Sequence, residues 1–333
     1  KISEKIKLSK INENKVNYTP LKISDGIIKF SKYFLKEKPD IVLVNADRYE
    51  TFAASLASSQ MGIATYHIEG GDVTSGGVFD DNVRHAITKL SHIHFCTNKF
   101  SFKNLLKLNE EKWRIFNVGL TINDHIYSLK KPNIKILEKK LNISFDKPLI
   151  IFTLHPISSD VRETKKTIKV CLKVLLILEK KYNCNVIITY PNNDFGAKIV
   201  INEILKIKNK NIKVIKNLTN KILHSILYFS NKKKIVVMGN SSMGIKEAIA
   251  FKTPVINIGS RQNGRLKPQN VINVNLTQNN ILKMTKFALF NPKFRNKCLK
   301  FKNPYFIKNT AKKISTIINK IKINKKLFNK KFL

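Results

Sequence analysis

Cysteine is scarce in this chain of 333 residues, and what there is lies scattered. Cys96, Cys171, Cys184 and Cys298 are far apart, and the sequence contains no Cys-x-x-C pair. This spacing argues against a structural zinc site and against a dithiol redox motif, so no metal site is expected. Isolated thiols are typical of a reducing cytoplasm, and we expect a cytoplasmic protein.

Long apolar runs are also absent. A bilayer-spanning helix needs about 18 or more consecutive apolar residues, and nothing in the sequence approaches that length. Apolar runs such as 41–44 and 149–154 have the length of buried strands, and no signal peptide is visible. No association with a membrane is expected.

Acidic residues are few, and the net charge is therefore +40. Arginine is also scarce. Only seven of the 62 basic residues are arginine, and the lysines are mixed with asparagine and isoleucine, as in 320–324. This mixture indicates compositional drift and a solvated lysine surface. Incidental affinity for polyanions and a nucleic-acid function are the alternatives, but base-specific recognition prefers the bidentate arginine fork. No specific nucleic-acid partner is expected.

Apolar segments of strand length alternate with amphipathic segments of helix length along the chain. This alternation predicts an α/β fold with parallel sheets covered on both faces. The predicted strands are 41–46, 63–68, 92–96, 114–118, 149–154, 185–190, 212–216, 234–238, 254–258 and 271–274. The predicted helices are 21–36, 50–60, 79–91, 98–107, 160–181, 195–207, 219–230, 241–251, 278–290 and 309–323.

The length suits two domains. The lysine-rich stretch 131–148, bounded by Pro132 and Pro148, predicts a linker that carries one short helix. We therefore expect a Rossmann-like domain at 1–130, a second at 149–320 and a frayed basic tail at 321–333. The first domain has fewer predicted strands and opens on an irregular polar segment, 1–20. We expect about 60 further residues, two strand–helix units of ~30 each, before it.

The segment 239–244 follows a predicted strand and opens a predicted helix. Such a turn directs backbone N–H groups and the positive end of the helix dipole outward, where a phosphate binds. Ser241 and Ser242 add hydroxyl donors, and a capped helix without a ligand is the alternative. Glu247, within two turns of Ser242, is placed either to accept from ribose hydroxyls or to face solvent.

Arg261 and Arg265 share one loop after the predicted strand 254–258. Ligands of α/β proteins bind at this end of parallel strands, and the arginine fork suits a diphosphate. His155 ends another strand, where it either binds a phosphate, moves a proton or is structural. His92 and His94 alternate along a strand and are interpreted as structural.

Acidic residues gather at the matching positions of the first domain. Asp47 and Arg48 follow one strand, and Glu69 follows the next. Asp80 lies one helical turn before Arg84, as Asp81 does before His85. The two helix pairs are either exposed i,i+4 ion pairs, or their aspartates join the strand-end acids as crowded carboxylates suited to acid–base chemistry.

Seven sequence motifs, in this order, resemble those of the UDP-N-acetylglucosamine 2-epimerases, and in particular the hydrolysing branch. They are Ala-Asp-Arg-Tyr-Glu at 46–50, His-Ile-Glu-Gly-Gly-Asp at 67–72, Asp-Asp-Asn-Val-Arg-His-Ala-Ile-Thr-Lys-Leu-Ser at 80–91, Leu-His-Pro at 154–156, Pro-Asn-Asn-Asp-Phe-Gly at 191–196, Gly-Asn-Ser-Ser-x-Gly at 239–244, and Pro-Val-Ile-Asn-Ile-Gly-x-Arg-Gln-x-Gly-Arg at 254–265. The resemblance covers about 38–274.

The resemblance implies a GT-B-type architecture, in which two Rossmann-like domains face a cleft, and a UDP-linked 2-acetamido sugar as substrate. It implies anti elimination of UDP followed by addition of water, with no cofactor. The products would be UDP and an N-acetylmannosamine-type sugar for sialic-acid-like biosynthesis. The same chemistry on UDP-N,N′-diacetylbacillosamine, in a legionaminic acid pathway, is an alternative substrate. A homodimer or tetramer is also implied.

By motif position, the resemblance makes Asp47, Glu69 and Asp80 the acid–base carboxylates and His155 a catalytic or phosphate-contacting residue. The residues implied to bind UDP are Arg48, Ser241, Ser242, Glu247, Arg261 and Arg265. The chain departs from the pattern at Ala46, where the family has glycine, and lacks the family's opening strand and arginine-bearing loop.

Three other functions compete with a hydrolysing epimerase. A non-hydrolysing epimerase would keep its product on UDP. A GT-B glycosyltransferase would transfer the sugar to an acceptor without a glycal intermediate. A non-catalytic polycation would bind DNA with a steep dependence on salt.

Overall fold

Ten strands run through the residues that the structure describes, and each lies within two residues of the predicted one. The strands are β1 (Ile41–Asn45), β2 (Ala64–Ile68), β3 (Ile93–Cys96), β4 (Ile115–Asn117), β5 (Leu149–Thr153), β6 (Asn185–Thr189), β7 (Ile212–Ile215), β8 (Ile235–Gly239), β9 (Val255–Ile258) and β10 (Val271–Val274). The structure is a computed structural model, and it describes residues 2, 4–8, 19–74, 78–157 and 160–331.

The strands form two sheets, one of four strands in the order β1-β2-β3-β4 and one of six in the order β10-β9-β8-β5-β6-β7. Every pairing is parallel, so the predicted class is confirmed. Because parallel neighbours end at the same edge of a sheet, the register aligns the loops that follow them. Asn45 is level with Ile68, and Thr153 is level with both Thr189 and Gly239.

Fourteen α-helices connect and cover these strands in the described part of the chain. They are α1 (Thr19–Glu37), α2 (Tyr49–Gln60), α3 (Val78–Leu90), α4 (Lys99–Lys107), α5 (Asn123–Tyr127), α6 (Ile134–Leu141), α7 (Val161–Tyr182), α8 (Ala197–Ile204), α9 (Asn220–Leu227), α10 (Ser242–Lys246), α11 (Gln278–Phe290), α12 (Pro292–Lys300), α13 (Thr310–Lys320) and α14 (Lys325–Phe328). The short helices α5, α12 and α14 were not predicted. No helix among the described residues is both long and apolar enough to cross a bilayer.

The six-stranded sheet is buried on both faces. β5, β6 and β8 are buried at every position, which is why their central residues are continuous apolar runs rather than alternating patterns. α7 covers the sheet with Ile168, Leu175 and Leu178. Asp160 caps the start of this helix by accepting a hydrogen bond from the Glu163 N–H.

The chain divides into two units, and the first is discontinuous. It joins Lys1–Asp124 to Tyr305–Leu333, whereas the second is the continuous segment His125–Pro304. The predicted boundary at 149 and the predicted end of the second domain at 320 are therefore wrong. The linker prediction is wrong in part: α6 is present within 131–148, but Leu137, Leu141 and Phe145 are buried in the second unit. Much of the segment 1–20, and residues 75–77 and 332–333, lie outside the described residues.

The carboxy-terminal segment is docked on the first unit rather than frayed. Ile314 of α13 and Leu327 of α14 belong to the same core cluster as strands β2 and β3. The buried Arg114 guanidinium donates to the Leu327 carbonyl at 2.7 Å, and the Lys330 ammonium donates to the Ser91 carbonyl at 2.7 Å. The prediction of a tail failed because isoleucines at helical spacing are hidden among lysines, whose stems also pack on apolar surface.

Candidate active site

The loop after β1 is held in an unusual conformation that sets the position of Asp47. Ala46 has φ +62, in the left-handed region that L-residues other than asparagine and aspartate rarely adopt. Its N–H donates to the Ile68 carbonyl at 3.0 Å, and the buried His67 Nε2 hydrogen-bonds its carbonyl at 3.0 Å. Burial lowers the pKa of His67 to about 3, so the ring is neutral and Nε2 carries the donated proton. These contacts hold the strained turn in place.

Replacing Ala46 by glycine is expected to stabilise the first unit by about 0.5–1 kcal/mol, because glycine adopts positive φ without the Cβ penalty. Urea unfolding measures this gain. The matched control is Ala57→Gly, in the interior of α2, where the same change is expected to cost about 1 kcal/mol. A loss of stability in Ala46→Gly would contradict the strained turn.

Arg84 of α3 is the centre of the acidic cluster in the first unit. Its side chain is 2% exposed and forms ion pairs with Asp47 and with Asp81. It also donates to the Asp72 carbonyl at 3.1 Å. Burial alone lowers the pKa of Arg84, but attraction to Asp47, Asp72 and Asp81 outweighs it and raises the pKa above its ordinary value. Arg84 therefore stays charged and fixes the carboxylates around it.

Of the two interpretations of the charged residues on α3, exposed ion pairs do not describe Arg84. Arg84 pairs with Asp81, three residues before it, and the two side chains are only 2% and 15% exposed. Asp81 also accepts from the Thr74 N–H at 2.8 Å, so it ties the loop after β2 to the helix. Asp80 lies in the first turn of α3, directly before Asp81.

Glu69 directly follows β2 and also has a left-handed backbone, with φ +68. Its N–H donates to the Phe95 carbonyl of β3 at 2.9 Å. Gly71, two residues later, passes so close to α4 that a Cβ would lie 2.3 Å from the Ser101 carbonyl oxygen. A charged residue kept at positive φ stores strain that the surroundings must offset, and such residues cluster at functional sites.

Arg48, the other predicted residue of this loop, faces solvent. Its side chain is 43% exposed, and its guanidinium donates twice to the Glu50 carboxylate, at 3.0 and 3.1 Å. The structure therefore brings Asp47 to Arg84 and leaves Arg48 on the outside of the same loop. The predicted nucleotide contact of Arg48 stays a prediction.

In the second unit, Asn240 organises the ends of three strands. Its side chain accepts from the His155 N–H at 2.7 Å and donates to the His155 carbonyl at 2.9 Å. Its own carbonyl accepts from Gln262 at 2.8 Å and from Arg261 at 3.2 Å. The preceding Gly239 is required because a Cβ there would lie 1.9 Å from the Thr153 carbonyl oxygen. The predicted residues His155 and Arg261 thus meet at Asn240.

His155 is buried and presents one defined proton. The Asn192 N–H donates to its Nδ1 at 3.1 Å, which leaves the ring proton on Nε2. Burial, followed by the nearby positive charge of Arg261, lowers the pKa of His155 to about 3. The ring is therefore a neutral donor at physiological pH. Arg265 joins the same network by donating to the Gln262 side chain at 2.6 Å.

The turn after β8 leads into a short helix, α10, whose first turn is capped. Ser241 is the N-cap of α10 and accepts from the Met243 N–H at 3.4 Å. The predicted continuous helix 241–251 is wrong, because α10 ends at Lys246 and a 3-10 turn follows at Ala248–Phe251. The chain tightens there as it enters Pro254 and β9. Phosphate binding by Ser241 and Ser242 stays a prediction.

Several residues at these sites were missed by sequence reasoning. Arg84 and Asp81 were considered only within the i,i+4 pairs of α3, and Asp72, Asn240 and His67 were part of recognised motifs without a role of their own. The scarcity of arginine was the available signal, because an arginine placed between acidic motifs in a lysine-rich chain suggests a specific geometric need.

The sequence is similar to those of known sugar epimerases. The family model described as UDP-N-acetylglucosamine 2-epimerase matches residues 3–319. A "GDP/UDP-N,N'-diacetylbacillosamine 2-epimerase (hydrolyzing)" of Campylobacter jejuni is 40% identical over 274 residues, which are 82% of this chain and 69% of the relative. A "UDP-N,N'-diacetylbacillosamine 2-epimerase (hydrolyzing)" of Legionella pneumophila is 32% identical over 310 residues, 92% of this chain and 78% of the relative.

Solved structures share the fold. The crystal structure of UDP-GlcNAc 2-epimerase from Neisseria meningitidis bound to UDP-GlcNAc superposes with a TM-score of 0.77 at 23% identity, covering 94% of this chain and 84% of that one. The likeness confirms the predicted α/β class with two parallel-sheet units. The family model and the 40% identical relative lead to one conclusion: the chain belongs to the UDP-N-acetylglucosamine 2-epimerase family.

Proposed function

We propose that this protein is a hydrolysing 2-epimerase, which converts a nucleoside-diphosphate-linked 2-acetamido sugar into the free C2 epimer and the nucleoside diphosphate. The Campylobacter and Legionella relatives are both named as hydrolysing enzymes, and they are 40% and 32% identical to this chain. The Glu-Gly-Gly-Asp motif at 69–72 also favours this branch.

The observation that supports the proposal most directly is the positive φ of Glu69 directly after β2, the strand beside the one that leads to the Asp47–Arg84 ion pair. Asp47 and Glu69 follow strands whose last residues, Asn45 and Ile68, are level in the sheet. Two carboxylates that follow neighbouring strands at one sheet edge are suited to acid–base chemistry.

We assign removal of the C2 proton to Glu69, whose strained backbone at the end of β2 is of the kind found at functional sites. The electron pair of the C2–H bond forms a C1–C2 double bond as the C1–O bond to the diphosphate breaks, which gives a glycal-like intermediate. Water then adds at C1, and a proton returns to C2 on the opposite face. Asp47 and Asp80 are the candidate donors of that proton.

The second unit supplies donors for the leaving diphosphate. His155 is a neutral donor through Nε2–H. Arg261 and Arg265 supply positive charge, and hydrogen bonds to Asn240 and Gln262 hold their guanidinium groups. Ser241 and Ser242 add hydroxyls at the start of α10. Stabilisation of charge that develops on a leaving group is a large term in such reactions. We also assign Arg48 of the first unit and Glu247 of the second to the nucleotide.

Three substrates are to be compared in heavy water: UDP-N-acetylglucosamine, UDP-N,N′-diacetylbacillosamine and its GDP-linked counterpart. With at least one of them, we expect release of nucleoside diphosphate and of a free sugar that is inverted at C2 and carries one solvent deuterium there. Mass spectrometry and NMR measure both.

Other outcomes would contradict the proposal. An inverted sugar that stays on its nucleotide identifies a non-hydrolysing epimerase. Transfer to an added acceptor with no deuterium at C2 identifies a glycosyltransferase. No release from any of the three sugars would reject the hydrolysing activity.

A further inference from the structure

Glu247 of the second unit has a partner that the proposed reaction does not use. His224, on α9, is completely buried, and its Nε2 lies 2.7 Å from Glu247 Oε2. The Glu247 side chain is 22% exposed, so part of it faces solvent. Glu247 is therefore held from one side and open on the other.

The direction of this hydrogen bond follows from the chemistry of the two groups. An ionised carboxylate can only accept hydrogen bonds, so His224 Nε2 carries the ring proton and donates the hydrogen bond to Glu247. The other ring nitrogen, Nδ1, is buried and makes no hydrogen bond within the described part of the chain. With Nδ1 unpartnered, the single hydrogen bond of the ring goes to Glu247.

The imidazole ring packs against two other rings. It lies against Phe251, with ring centroids 5.4 Å apart and planes tilted by 34°, and against His125, with centroids 5.6 Å apart and planes tilted by 42°. Aromatic packing of this kind restricts the ring to one orientation. The Nε2–H group of His224 is therefore directed at the Glu247 carboxylate.

Glu247 needs such support because its backbone lies at a break. It is the residue between α10 and the following 3-10 turn, with φ −107 and ψ −40. A glutamate has three rotatable side-chain bonds, and fixing them in advance removes an entropic cost from ligand binding. A second group that holds the carboxylate thus improves its binding of a ligand hydroxyl.

We infer that His224 is a positioning residue for the nucleotide: it orients the Glu247 carboxylate so that the outward oxygen accepts hydrogen bonds from the ribose hydroxyls. This inference rests on the assignment of Glu247 to the nucleotide in the proposed function. It gives the pair His224–Glu247 a specific consequence, the preference for a ribonucleotide over a 2′-deoxyribonucleotide. A hydrogen bond to a charged group, once removed, changes affinity by about tenfold or more.

The test compares the dissociation constants of UDP and 2′-deoxy-UDP, and of GDP and 2′-deoxy-GDP, by calorimetry on the full chain. The wild-type protein is expected to bind its preferred ribonucleotide about tenfold more tightly than the deoxy form. His224→Phe keeps the stacking but cannot donate, and is expected to bring the two constants close together by weakening the ribonucleotide. Glu247→Gln is expected to do the same, and His224→Gln to restore part of the preference.

His125→Phe is the matched control, because it retains a ring against His224 and leaves the Glu247 hydrogen bond in place. It is expected to keep the full preference. Thermal unfolding of each variant separates a folding defect, which weakens both nucleotides equally, from a positioning defect, which weakens only the ribose form.

Two results would overturn the inference. One is a wild-type preference that His224→Phe retains while Glu247→Gln loses it. The other is a wild-type protein that binds the ribose and deoxyribose forms equally. Because these are binding measurements, they are separate from the release of free sugar. An intact ribose preference without sugar release rejects the hydrolysing activity and leaves His224 in its role.

Discussion

Replacing Arg84 by methionine is expected to lower the free energy of unfolding by about 3–5 kcal/mol, the cost of removing one partner from a buried ion pair. The side chain is 2% exposed and lies among Asp47, Asp72 and Asp81. Methionine fills much of the volume but supplies no charge and no donor. The carboxylates would then remain crowded together without their cation.

Urea unfolding followed by fluorescence is a direct measurement, because the single tryptophan, Trp113, lies in the first unit. Its ring centre is 4.2 Å from the Arg114 guanidinium, and unfolding breaks that contact. The control is Arg48→Met, since Arg48 is 43% exposed and exposed ion pairs contribute about 0–1 kcal/mol. Equal effects of the two substitutions would contradict the burial of the Arg84 cluster.

Replacing Glu69 by glutamine is expected to lower kcat by about 10²–10⁴, the usual contribution of a general base. Glutamine keeps the size and the hydrogen-bonding reach of the side chain but cannot take up the C2 proton. Binding of the nucleoside diphosphate is expected to be unchanged, because Glu69 is not among the residues assigned to the nucleotide. Steady-state release of nucleoside diphosphate, with calorimetric binding of UDP, measures both quantities.

Glu37→Gln is the matched control for this substitution, since Glu37 lies at the exposed end of α1 in the same unit. A second variant, Glu69→Gly, separates strain from chemistry. It relieves the φ +68 backbone and is expected to gain about 0.5–1 kcal/mol of stability while activity is lost. Full activity in Glu69→Gln would remove Glu69 from the reaction.

The strands were predictable because their physics is local. A strand buried on both faces is apolar at its centre, as β5 and β8 are, and ligand-binding residues of parallel sheets follow the strand at the sheet edge. The positions of Asp47, Glu69 and His155 at strand ends followed from that pattern. Their placement therefore required no knowledge of distant contacts.

The contacts of the acidic cluster were not predictable in the same way. Whether Arg84 pairs with Asp80 or with Asp81 depends on side-chain rotamers and on which face of α3 is buried, and sequence spacing allows both. The break after Lys246 likewise depends on where β9 must begin. His224 and Glu247 are 23 residues apart, and no local pattern connects them.

The docked carboxy-terminal segment was hidden by sequence separation. Arg114 and Leu327 are 213 residues apart, and the lysines of α13 and α14 obscure the isoleucines that pack on the sheet. This separation also orders the events of synthesis. The second unit is complete on the nascent chain once Pro304 has emerged from the ribosome, whereas the first unit, begun earlier, cannot close its core until α13 and α14 have followed. The half that carries the acidic cluster is translated first and finished last.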